Sequence, residues 1–168
     1  MPYRRRYRRS YKLTRAIKPV KYSNETFVFA SGLGIAPQST YSAAFVPSTN
    51  IQGTRKLKNF TLTFNTNFDT PLLFAIVYVP EGTEASDLGF GTLEGSDLVP
   101  RTLYEPNQNV IMSGTIGGPN YSVGRYKSRL ARNLNSGDQI MLVLRSTQNT
   151  GDPINGDLVV LLNFAIAF

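Results

Sequence analysis

Phe60-Thr61-Leu62-Thr63-Phe64-Asn65 alternates large apolar side chains with short polar ones. A period of two marks a strand with one face in a core and the other toward water. Pro71 then punctuates the chain. Leu72-Leu73-Phe74-Ala75-Ile76-Val77-Tyr78-Val79 follows as an unbroken run of β-formers closed by Pro80-Glu81-Gly82, which predicts a strand covered on both faces. Ile140 to Leu144 and Leu158 to Phe168 have the same character. Outward from these, alternation and turn residues predict eight strands, at about 25–30, 40–46, 57–66, 72–80, 108–113, 123–131, 138–146 and 157–168. A parallel α/β fold needs amphipathic helices between strands, and the sequence offers none. The expectation is therefore an all-β, antiparallel sandwich. Asn133 to Asp138 reads as a turn, Asn155-Gly156 as a tight turn before the last strand, and Gly32-Leu33-Gly34 as turn material. Glu81 to Pro100, with five acids, reads as a large solvated loop.

The chain has 168 residues and contains neither cysteine nor histidine. That excludes disulfides, thiolate and imidazole metal sites, Cys nucleophiles and Ser-His triads. The acids of the 81–100 loop lack the compact spacing of a calcium loop. No metal, cofactor or catalysis is expected. The beginning has arginines where a secretory signal would carry an apolar stretch, and no apolar run reaches the length of a membrane-spanning helix. The protein is expected to be soluble and intracellular, with no membrane insertion.

Charge is distributed unevenly. Arg4, Arg5, Arg6, Arg8, Arg9, Lys12, Arg15, Lys18 and Lys21 are nine of the eighteen basic residues, and no acid lies among them. The remaining nine face all eleven acids, so residues 25–168 carry a net charge of −2. Residues 1–24 are expected to be a disordered basic arm and 25–168 the folded domain. Guanidinium groups this dense repel one another until an anion neutralises them, and phosphate suits the arginine fork. Tyr3, Tyr7 and Tyr11 recur among the cations, and tyrosine rings can stack on unpaired bases. This pattern suits sequence-independent binding of single-stranded nucleic acid. Nuclear import is a compatible second use of the same charges.

Within the body, Arg125, Lys127 and Arg129 occupy alternate positions of a predicted strand and should emerge from one face, as a second phosphate-binding group. Arg55, Lys56 and Lys58 form another basic group leading into the strand of Phe64. For both groups the competing role is protection of strand edges against unwanted pairing.

Several segments, in order, resemble the capsid proteins of circovirus-like viruses, which have small circular single-stranded DNA genomes. They are Pro2-Tyr-Arg-Arg-Arg-Tyr-Arg-Arg9, Phe74-Ala-Ile-Val-Tyr-Val-Pro-Glu-Gly82, Leu103-Tyr-Glu-Pro-Asn-Gln-Asn-Val-Ile-Met-Ser-Gly114, and Tyr126 to Leu144 with its Asn135-Ser-Gly-Asp138 turn. The resemblance implies an eight-stranded jelly roll assembling into a small icosahedral shell, with the basic arm inside on the genome. It also implies a homo-oligomer found in the virion and in the host nucleus during assembly, with nuclear-import machinery as a partner of the arm. The sequence lacks tryptophan and is shorter than many relatives, so no surface-loop or receptor residue is carried over. The alternative is a cellular nucleic-acid-binding protein of ribosomal or RNA-chaperone type. A secreted lectin or cytokine is disfavoured by the arginine-rich start.

Overall fold

Each predicted strand forms, and most extend beyond the residues that announced them. A computed structural model describes residues 21–37, 39–50, 52–83, 109–118, 122–148 and 151–167, with Ser122 described by its backbone alone. The strands are β1 (Ser23–Ile35), β2 (Thr40–Val46), β3 (Arg55–Thr66), β4 (Leu72–Val79), β5 (Val110–Ile116), β6 (Ser122–Leu134), β7 (Gln139–Ser146) and β8 (Ile154–Ala167). They pair antiparallel in two four-stranded sheets, ordered β1-β8-β3-β6 and β2-β7-β4-β5. Successive strands lie in opposite sheets except where the chain passes along one of them, and this interleaved order makes the sandwich a jelly roll.

Between the sheets the inward residues form one core. Phe45, Phe60, Phe74, Leu57, Leu62, Leu72, Ile76, Leu142 and Leu144 are essentially inaccessible to water. Each such side chain contributes about 1.5–3 kcal/mol relative to leaving it exposed. The expectation that β4 is covered on both faces is met. Ala75, Val77 and Val79, which point away from this core, are also fully buried and cluster with Val143. β8 is covered on both faces only toward its end, since Val159 is 45% exposed.

Two turn expectations are corrected. Gly32 and Gly34 lie inside β1, paired with Asp157 and Asn155, and Asn155-Gly156 lies inside β8. Buried Leu33, Ile35 and Ile154 continue the inward alternation through this corner and outweigh the local turn propensity. Gly156 is there for close approach, because a β-carbon would stand 2.5 Å from the Phe68 ring. The reversal before β8 falls earlier, at Gly151 with φ +119°. The turn at 135–138 forms as expected, with Gly137 at φ +84°. The arm through Val20, and the acidic loop from Glu84 onward, lie outside the described residues.

Candidate nucleic-acid interface

β6 is the outer strand of the first sheet, and its inward residues decide where its cations point. Tyr126 turns into the sandwich, stacks on Phe64 at 5.7 Å, meets Phe74 edge-on at 4.7 Å and donates its hydroxyl proton to the Thr115 carbonyl at 2.6 Å. Gly124, the preceding inward position, must be glycine because a β-carbon there would overlap the Phe64 ring. With 124 and 126 fixed inward, the pleat directs Arg125 and Lys127 outward. Arg125, Lys127 and Arg129 are all exposed, as the alternation predicted. Arg125 lies opposite Thr63 of β3, and Lys127 opposite Thr61.

A β-bulge brings further cations to this face. Lys58 and Phe60 are two residues apart and would share a face in a regular strand. Asn59 adopts φ +58°, a conformation asparagine tolerates better than most residues, and the register shifts there. Leu57 and Phe60 are consequently both buried, while Lys56 and Lys58 emerge on the opposite side, alongside the β6 cations. The ammonium of Lys58 sits 3.6 Å from the centre of the Tyr22 ring, a cation–π contact. Lys21 and Tyr22, where the chain enters β1, therefore adjoin the same sheet face. No acid occurs in β3 or β6. On the outer side of the other two strands, the described acid is Asp157. It lies at the far end of β8, where Asn67 holds its carboxylate and its backbone N–H.

Arg55 departs from the grouping expected of it. It is only 8% exposed, and its guanidinium donates to the carbonyls of Pro47 and Asp138 at 3.2–3.3 Å. Burial holds its pKa below the ordinary value, partly offset by the Asp138 charge. The Asp138 carboxylate accepts from the Tyr78 hydroxyl at 2.7 Å, the Asn135 N–H at 2.8 Å and the Glu81 N–H at 3.2 Å. Arg55 belongs to this structural cluster at the end of the sandwich, and a buried guanidinium so engaged has no fork left for phosphate.

Tyr78 in this cluster has its pKa pushed up from 10.0 to about 12, first by burial and then by its hydrogen bond to Asp138. The folded chain thus holds that proton more tightly than the unfolded chain. The associated stability is present in full below pH 10 and is lost as pH rises from 10 toward 12. Unfolding midpoints measured across that window should fall more steeply for the native chain than for Tyr78→Phe, which lacks the titrating group.

No protein-family model matches this chain, and no curated protein does. Among solved structures, it is similar to a chain from a structure titled as Bacillus endospore appendages forming a family of disulfide-linked pili. The TM-score is 0.34 and the identity 7%, over 87% of this chain and 89% of that one. It is also similar to a chain of infectious bursal disease virus, Gt strain, with a TM-score of 0.34 and 11% identity, over 88% of this chain and 38% of that one. Likenesses at this score carry no conclusion about what the chain does.

Of the residues singled out in the sequence, the structure lines up Arg125, Lys127 and Arg129 on β6, and places Lys21 just before β1, at the other edge of the same sheet. Arg4, Arg5, Arg6, Arg8, Arg9, Lys12, Arg15, Lys18, Tyr3, Tyr7 and Tyr11 lie outside the described residues. Tyr22 was not anticipated as part of the face. Its signal was available only as an aromatic next to a lysine, which is uninformative without the register. Among the described residues, no helix is long and apolar enough to cross a membrane.

Proposed function

We propose that this chain is a viral coat protein whose copies form a small closed shell around single-stranded DNA. The nine-cation leader and the cationic face of the first sheet both engage the genome. The observation that carries this is convergence. The chain leaves its basic leader at Lys21 and Tyr22, beside Lys58, on the same sheet face as Lys56, Arg125, Lys127 and Arg129. Such a surface, without acids in β3 or β6, attracts polyanions and releases their condensed counterions on binding. A jelly roll with a body near neutrality suits association with copies of itself, since the repulsive charge is gathered on the leader. In the nucleus of a host cell, the leader would also serve import. The proposal assigns the chain no catalysis and no cofactor.

Arg125→Ala, Lys127→Ala and Arg129→Ala together test the body's share. All three side chains are exposed, so the fold should survive. Affinity for oligo(dT) should drop, and the slope of log K against log salt should flatten by about 2, at roughly 0.7 per phosphate contact on a single strand. An unchanged slope would assign this face to edge protection.

A further inference from the structure

The register arranges the outer face of the first sheet as rows that cross all four strands. One row runs Val28, Leu161, Thr63, Arg125, and the next runs Thr26, Asn163, Thr61, Lys127. A third runs Ala30, Val159, Asn65, Val123. In the first two rows the composition changes in the same sense, from uncharged on β1 and β8, through hydroxyl or amide, to a cation on β6. Val28 is 58% and Val159 45% exposed on the β1–β8 half, while in the third row Val123, 72% exposed, stands on β6. Thr26 donates to the Asn163 amide oxygen at 2.5 Å, which orients that amide within the polar column.

Resting on the nucleic-acid function proposed above, we propose that this face is a binding site for single strands in particular. Phosphates lie along Arg125, Lys127 and Lys58, and bases lie across Thr61, Thr63 and Asn163 onto Val28, Leu161 and Val159. The charge layout selects this occupant. A single strand is a charged rail with apolar, hydrogen-bonding bases to one side, and the sheet presents the complementary cross-section. β6 and β1 are three strand spacings apart, roughly 14 Å, wide enough for a sugar and a base beside the phosphate. A duplex carries phosphate on both rims with its bases turned away, so it would use the cations and waste the rest. A site made only for polyanions would gain from cations along β1 and β8, and within these strands there are none, the cations on that side being Lys21 before β1 and Lys58 over the Tyr22 ring at one end.

The test uses the full-length chain with the eight leader cations that precede Lys21 changed to glutamine, so that the sheet face dominates binding. Three probes of equal charge are compared by fluorescence anisotropy or competition, namely oligo(dT), a DNA duplex and inorganic polyphosphate. Oligo(dT) should bind more tightly than either of the others. Val28→Thr with Leu161→Thr places β-branched side chains at two outward positions of the sheet. Val28 is exposed and Leu161 half-buried, both pointing outward, and the pair of changes should weaken oligo(dT) by about fivefold, the factor expected for losing some 40 Å2 of apolar burial, and leave polyphosphate binding as it was. Equal affinity for all three probes would overturn the proposal and leave a plain polyanion patch. A double variant that blocks particle formation while binding oligo(dT) normally would also overturn it, by giving the β1–β8 half to a second copy. Failure of the unmodified chain to hold any polynucleotide would instead sink the function on which the proposal rests.

Discussion

Asp138→Ala should destabilise the chain by about 3–5 kcal/mol, the range found when one partner is removed from a buried charged cluster. Asp138 is 5% exposed, and its carboxylate is the shared acceptor for Tyr78, Asn135 and Glu81. Alanine strands three donors where water has little access. It also removes the negative charge nearest the buried guanidinium of Arg55. The cluster joins the end of β4, the β6–β7 turn and the start of β3, and Arg55 extends it to the β2–β3 connection at Pro47. Loss should therefore be felt across one whole end of the sandwich. Urea unfolding should show a lower midpoint with an unchanged slope. If the variant does not fold, Tyr78→Phe gives the same test at smaller scale, with a cost of about 1 kcal/mol. A cost near zero for both would mean that the cluster does not hold this end together.

Neutralising the leader should have the largest effect on binding. With Arg4, Arg5, Arg6, Arg8, Arg9, Lys12, Arg15, Lys18 and Lys21 changed to glutamine, half of all the basic residues are removed. At roughly 0.7 per contact on a single strand, nine contacts contribute about 6 to the slope of log K against log salt. Affinity at low salt should fall by about a thousandfold or more. With the leader separate from the folded domain, as proposed, the unfolding midpoint should not move. A shallow slope in the unmodified chain, or a loss of stability on neutralisation, would show the leader to be part of the subunit's own packing.

The sandwich was legible because burial imposes its period on the sequence. Phe60, Leu62 and Phe64 announce β3, and the continuous run of β4 announces burial on both faces, met here by a second cluster around Val77 and Val143. Turn residues misled where tertiary packing overrode them. Gly34 and Asn155-Gly156 carry strand pairing because Leu33, Ile35 and Ile154 are anchored in the core, and Gly156 makes room for Phe68. The alternation of Arg125, Lys127 and Arg129 could be read directly. The allegiance of Arg55, Lys56 and Lys58 could not, because it depends on one asparagine in a left-handed conformation that reverses the pleat between Lys58 and Phe60. A three-residue interval between two buried positions, Leu57 and Phe60, was the available hint. The place of Tyr22 beside Lys58 required the strand order, which no local pattern contains.

Velocity sedimentation of the purified full-length chain, with nucleic acid followed by its own absorbance, tests the central claim most directly. The account predicts a large, uniform particle that carries single-stranded DNA, and releases it when the leader is neutralised. A species that sediments as a monomer at every concentration and salt, with or without DNA, would contradict it and favour a cellular nucleic-acid-binding domain.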